Sequence, residues 1–246
     1  MTHTPGAEPR TGPVLAIFAH PDDAEISAGG TLARWASAGR EVHLLVLTNG
    51  DRGSSDPRLD RAELARTRIE EVVDAGRVLG LAGTHVLATH DGELENTIQS
   101  RAEIARRIRE IRPTTVLTCD PTAWFFEAGE GATYYNHADH RVAGEATLDA
   151  IFPGAGNPHY FTDQIAEGFE PWSVSDVWLG WTKEPNHVED VSEQFATKVA
   201  ALGKHASQLG EGIAFWGDML GEEARSAGAE IGVEFGERFR RLDLVD

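Results

Sequence analysis

The chain has 246 residues, 22 Lys+Arg against 40 Asp+Glu, and a net charge of −18. That balance excludes a protein whose main work is to grip nucleic acid or an anionic membrane through a basic face. A single cysteine, Cys119, cannot form an intrachain disulfide, so a stapled secreted scaffold is excluded as well. Hydrophobic residues make up 41% and charged residues 25% of the chain, which is ordinary for a globular protein, and this length fills one α/β domain. No run reaches the ~18 consecutive apolar residues of a membrane span, and Met1 to Gly12 lacks the apolar core of a secretory signal. The reading is a disordered lead-in over 1–12, a single domain over 13–246, and a cytoplasmic location without membrane insertion.

Along the chain, Val14 to Phe18 is an apolar run behind Gly12-Pro13 and predicts a strand buried on both faces. It stops at His20-Pro21-Asp22-Asp23, and Ile26 to Ala38 then reads as a helix ended by Gly39. Val42 to Leu47 is a second strand, followed by a turn-rich stretch from Thr48 to Asp60. Arg61 to Leu79 is a helix capped by Gly80, Thr84 to Ala88 a strand, Ser100 to Arg112 a helix stopped by Pro113, and Thr115 to Thr118 a strand. This alternation predicts right-handed βαβ crossovers: a Rossmann-like α/β fold with a mainly parallel sheet and helices on both faces. Such sheets bind ligands beyond the carboxyl ends of their strands, where the loops at 20–23, 48–60, around Asp91 and from Asp120 to His140 should gather. The stretch 152–172 reads as an ordered Gly- and Pro-rich lobe. Val177 to Trp181 reads as a strand, Val191 to Leu209 as a helix, and Gly221 to Leu242 as a final helix.

Two clusters carry the chemistry: His20-Pro21-Asp22-Asp23 after the first strand, and His137-Ala138-Asp139-His140 before a helix. Any one Asp here has an ordinary explanation as a helix N-cap, and any one His as a hydrogen-bonded structural residue. The joint pattern suits a catalytic zinc site, which takes three nitrogen or oxygen ligands and keeps a fourth position for water. His20 and Asp23, three apart on a tight loop, can face one way, and His140 would complete the set. Asp22 is placed to take a proton from the water.

Ala19 to Asp23, Gly29-Gly30-Thr31-Leu32 and His137-x-Asp139-His140-Arg141 resemble the LmbE-like, or PIG-L, family of zinc-dependent N-acetylglucosamine de-N-acetylases. Thr48 to Gly53, Arg68-x-x-Glu71, Asp91-Gly92 and the late His205-x-Ser207-Gln208 extend the likeness. The resemblance implies His20, Asp23 and His140 as zinc ligands and Asp22 as general base. It implies that His137, in its positive form, steadies the oxyanion or protonates the leaving amine, and that Asp139 orients and tunes the histidines. Tyr135 resembles a mobile tyrosine that polarises the carbonyl, and Arg68 and Asp91 resemble contacts to sugar hydroxyls. Arg68 has an alternative as an exposed helix residue pairing with Glu70 or Glu71.

The implied activity is removal of an N-acetyl group from an N-acetylglucosamine-type sugar. Zn2+ is the expected cofactor; Fe2+ or Co2+ would also suit an N/O ligand set. The partner is a small amino-sugar substrate, and the resemblance implies a homo-oligomer. A larger amide, such as a sugar–thiol conjugate, is the alternative substrate, and a noncatalytic binding protein the alternative of another class. Two positions depart from the family pattern: Ala24 stands where many members have Glu, and Ala138 where many have Pro. Trp124 to Phe126 with Tyr134-Tyr135 read either as a stacking wall or as packing, and Trp172, Trp178 and Trp181 as core. His43, His85, His90, His159 and His187 read as structural, while His205 stays open between site and surface.

Overall fold

The computed structural model describes residues 11–127, 131–210 and 212–244. Residues 1–10 of the expected lead-in lie outside the described residues. The expected alternation is present as β1 (Val14–Phe18), α1 (Asp23–Ser37), β2 (Val42–Val46), α2 (Arg61–Leu79), β3 (Gly83–Val86), α3 (Ile98–Ile111) and β4 (Thr115–Cys119). A hairpin of β5 (Phe125–Glu127) and β6 (Thr133–Tyr135) follows, then α4 (Ala138–Asp149), a π-helical turn (Ala150–Ala155) and α5 (Thr162–Ala166). The chain ends through β7 (Asp176–Gly180), β8 (His187–Asp190), α6 (Phe195–Leu202), α7 (Ala206–Leu209), α8 (Ile213–Ile231) and β9 (Gly236–Asp243).

Seven strands form one sheet in the order β3-β2-β1-β4-β7-β9-β8. Strands β3 to β7 along that order run parallel, and β9 runs antiparallel to both neighbours. The chain winds outward from β1 to β3 and then returns to β4 on the other side of β1. The loops after β1 and β4 therefore part at the carboxyl edge and open the crevice in which such sheets bind ligands. Every residue of β1 is buried. Val14, Ala16 and Phe18 join the cluster with Leu32 and Trp35 of α1 and Val72 of α2. Leu15 and Ile17 join the cluster with Ile104 and Ile108 of α3 and Ala143 of α4.

Helix α1 is held from inside by a buried ion pair. Lys198 Nζ lies 2.6 Å from Glu237 Oε1 and donates to the Ile26 carbonyl at 2.9 Å, while Glu237 accepts the N–H groups of Gly30 (3.0 Å) and Thr31 (2.8 Å). Ile26 C=O and Gly30 N–H are the groups an ideal helix pairs with each other. Both glycines of the Gly29-Gly30 motif serve this approach. A Cβ at Gly29 would stand 3.0 Å from the Lys198 side chain, and one at Gly30 would stand 2.7 Å from Val191.

The 152–172 lobe is ordered around Arg109 of α3, whose side chain is almost fully buried. Its guanidinium donates to the carbonyls of Gly154, Ala155, Asn157, Tyr160 and Phe161 and to Gln164 Oε1, at 2.9–3.3 Å. Burial pushes its pKa down, with Asp163 and Glu170 opposing.

Three sequence readings need correction. The expected helix from Gly221 to Leu242 is two elements: α8 ends at Ile231, Gly232 turns with φ 79°, and β9 follows. The charges of Glu237 and Arg241 disguise that strand, because they are used internally: Glu237 pairs with Lys198, and Arg241 Nε donates to the buried Asp176 at 2.8 Å. The expected helix from Val191 to Leu209 is α6 and α7, separated at 203–205. Trp178 is core, but Trp181 is half-buried beside the site described below.

Replacing Arg109 by Met removes a donor from each of five carbonyls, of which Ala155, Asn157 and Phe161 keep a backbone N–H. The expected loss is about 3 kcal/mol, the scale of buried groups left unsatisfied, or a Tm roughly 6–12 °C lower. Calorimetry of the purified variant checks it, and Arg109→Lys should fall between, since an ammonium offers three donors.

Candidate active site

The β1–α1 loop starts the site. Asp22 caps α1 with φ 93° and ψ −25°, a left-handed backbone uncommon for any residue with a side chain. The turn brings Asp23 back beneath His20, whose backbone N–H donates to Asp23 Oδ2 at 2.8 Å. From β4 the chain returns through the β5–β6 hairpin to the start of α4, which presents His137, Asp139 and His140 to the same crevice.

His20, Asp23 and His140 converge. His20 Nδ1 lies 3.2 Å from His140 Nε2 and 3.4 Å from Asp23 Oδ2, and His140 Nε2 lies 3.2 Å from Asp23 Oδ1. The far nitrogens of both rings face oxygen. His140 Nδ1 is 2.9 Å from Asn136 Oδ1, and the Asn136 amide nitrogen donates to the Ala123 carbonyl at 2.8 Å. With its amide so oriented, Asn136 accepts from His140 Nδ1–H, which leaves the Nε2 lone pair turned inward. His20 Nε2 faces Asp91 Oδ1 at 3.2 Å and Asp139 Oδ2 at 3.3 Å. Gly92 N–H fixes Asp139 Oδ2 at 2.7 Å. Histidines whose outer N–H is held by an oxygen acceptor are the usual partners of a metal ion.

The electrostatics agree with that donor set. Burial opposes charge on His20, yet Asp23, Asp139 and Asp91 push its pKa up to about 12. Burial would raise Asp23, but His140 and His20 reverse this and hold it well below the usual carboxylate range. Burial pushes Asp22 up to about 7, with Arg68 pulling the other way. Asp22, Asp23, Asp91 and Asp139 thus crowd a buried space that asks for positive charge, and two nitrogens and a carboxylate suit a divalent cation there. His20, Asp91 and His137 form a second group of converging donors that shares His20.

His137 stands beside the trio, its ring 4.7 Å from that of His20. Its Nδ1 accepts the Asp139 N–H at 3.1 Å. In this arrangement Nδ1 accepts and the ring's hydrogen falls on Nε2, a different form from the positive ring that the resemblance implies. Burial and His20 both push its pKa down in keeping with this. Asp139 orients His20 through its side chain and His137 through its backbone.

Arg68 is not an exposed helix residue. It is 3% exposed and donates to Gly50 O (3.0 Å), Pro21 O (2.6 Å) and Asp22 Oδ2 (3.2 Å). A Cβ at Gly50 would meet its guanidinium at 2.6 Å, and Gly50 also turns with φ 65°. Asp91 Oδ2 lies 3.9 Å from Arg68 on the same side. Tyr135 is exposed, and its hydroxyl accepts from Arg141 at 3.2 Å, whereas Tyr134 lines the cavity beside Asp23 and His140. Burial and the Asp23 charge raise the Tyr134 pKa. His205 is fully buried, with Nε2 3.3 Å from Glu25 Oε2.

Asn136 and Trp181 are parts of the site that the sequence reading leaves out, whereas Tyr134 belongs to the aromatic pair read there as a stacking wall or as packing. Asn136, four residues before His140, had a readable signal in that spacing. Trp181 had none, since its place follows from where β7 ends.

Residues 15–151 match the family described as PIG-L, GlcNAc-PI de-N-acetylase. The chain is 34% identical over 228 residues to the diacetylchitobiose deacetylase of Thermococcus kodakarensis, covering 92% of this chain and 82% of that one. It is 33% identical over 196 residues to the 1D-myo-inositol 2-acetamido-2-deoxy-alpha-D-glucopyranoside deacetylase of Kineococcus radiotolerans, covering 67% of this chain and 50% of that one. The fold is similar to that of N,N'-diacetylchitobiose deacetylase from Pyrococcus horikoshii, with a TM-score of 0.84 and 30% identity over 94% of this chain and 83% of that one.

Because Asn136 fixes the His140 ring, Asn136→Ala should weaken the binding of an added divalent cation such as Zn2+ about 10- to 100-fold without unfolding the protein. Competition against a chelator measures this. Unchanged affinity would count against His140 as a ligand.

Proposed function

The chain belongs to the PIG-L family, and from that premise we propose that it is a metal-dependent hydrolase. Its substrate is an N-acetylglucosamine-type amino sugar or glycoconjugate, from which it releases acetate. The observation that carries the reading is the convergence of His20 Nδ1, Asp23 and His140 Nε2, with Asp22 and His137 beside them. Those three residues would hold the cation. When bound, a divalent ion such as Zn2+, Fe2+ or Co2+ supplies Lewis acidity toward the amide carbonyl and the attacking water.

The remaining chemistry falls to the protein's own groups. Asp22 takes a proton from the attacking water and passes it to the departing amine. Arg68 grips the Asp22 carboxylate and the Pro21 carbonyl, and so aims the base and pulls it toward its ionised form. His137 donates from Nε2–H to the oxygen that gains charge as the carbonyl becomes tetrahedral. Asp139 and Asp91 hold His20, and Asp91, on the open side, accepts from a sugar hydroxyl, with Arg68 behind it. Tyr135 would have to leave Arg141 to meet the carbonyl.

A cytoplasmic, homo-oligomeric protein remains part of this reading, and no helix among the described residues is long and apolar enough to cross a membrane.

The test is acetate release by zinc-loaded protein from a panel of N-acetylated glucosamine glycosides. Asp22→Asn should lower kcat by about 10²- to 10⁴-fold, the usual contribution of a general base, with metal content unchanged. His140→Ala should lose both metal and turnover. No acetate from any member of the panel would sink the reading and favour a binding protein.

A further inference from the structure

The three converging residues have two unlike sides. On one side stand the polar groups Asp22, Arg68, Asp91 and His137. The other side opens into a cavity of about 670 Å³ that is lined by Asp23 and His140 but by none of those four. Its walls come from separate elements: Phe126 and Tyr134 from the hairpin, Trp181 after β7, Ile26 from α1, and Trp216 and Met219 from α8. Charged groups line it too: Glu127, Glu223, Arg238 and the Lys198–Glu237 pair, whose charges answer each other. Trp181 has φ 49°, a conformation uncommon for a bulky residue. Its ring stacks on His140 with centroids 4.7 Å apart and planes 29° apart. An aromatic floor thus runs from the ligand histidine into the cavity.

An amide has two arms, and the hydrolase reading above, on which this rests, assigns one of them. The amine side must lie where Asp22 can deliver a proton and Asp91 can meet sugar hydroxyls. The acyl arm then points the other way, across Asp23 and His140. A methyl group needs on the order of one water's share of volume, ~30 Å³, so an acetyl group leaves nearly all of this cavity to solvent. We propose that the cavity is an acyl subsite, and that the N-acyl group this protein handles best is an aliphatic chain longer than acetyl, on a glucosamine-type amine.

The test compares N-acetyl-, N-butanoyl- and N-hexanoylglucosamine with metal-loaded wild-type protein. Burial of each methylene is worth up to about fourfold, so kcat/KM should rise at least tenfold from acetyl to hexanoyl. Met219→Trp, which fills the cavity from α8, should bring the hexanoyl-to-acetyl ratio down toward one. A ratio at or below one in the wild-type protein overturns the proposal and leaves the deacetylase reading standing. A rise seen on lengthening an alkyl glycoside at the sugar's other end, and not on lengthening the acyl chain, overturns it too. Failure to cleave any of the three amides is a failure of the hydrolase reading itself.

Discussion

Three carboxylates meet around one imidazole, and a fourth stands close by. Asp23, Asp91 and Asp139 each lie within 3.4 Å of a His20 ring nitrogen, and Asp22 is next to Asp23 in the chain. Buried charge of one sign is among the costliest arrangements a fold can carry, unless cations and hydrogen bonds answer it. Much of the surrounding structure is that answer. Arg68 reaches in from α2 and is spent on the loops that hold Asp22. Gly92 gives its N–H to Asp139, and Asn136 turns the His140 lone pair inward. The remaining demand for positive charge falls between His20 and His140, the place proposed for the metal ion.

The scaffold makes this arrangement stiff. The order β3-β2-β1-β4-β7 parts the loops at the carboxyl edge of β1 and β4, so the two motif clusters meet although 120 residues separate His20 from His140. Helix α1, which carries Asp23, is gripped at Ile26 by Lys198 and at Gly30 and Thr31 by Glu237, both from the C-terminal part of the chain. The last strand of the sheet thereby reaches the first loop of the site.

The first half of the fold was legible because buried parallel strands read as apolar runs and the helices end on clear signals. Asp60 caps α2 by accepting from Ala62 and Glu63, and Gly80 closes it with φ 78°. The C-terminal part misleads for a physical reason. Glu237, Arg241 and Lys198 look like solvent-facing residues, and their partners lie up to 207 positions away in sequence. The site shows the same division. Short-range pattern singles out His20, Asp22, Asp23 and His140, which the fold brings to one crevice. Whether Arg68 was buried, which tyrosine faced the cavity and what floor Trp181 provides depend on contacts between elements, which spacing along the chain does not encode.

The left-handed backbone of Asp22 has an evolutionary consequence. A non-glycine residue in that region stores roughly 1–3 kcal/mol of strain, and this one also holds a carboxylate away from bulk water. Glycine at the same position would relieve the backbone strain and keep the chain's path, while taking one partner from the buried Arg68. Substitutions that stabilise a protein at the expense of its activity are easy to find. The carboxylate proposed as general base therefore sits at a backbone position that favours glycine, where stability alone would not keep it.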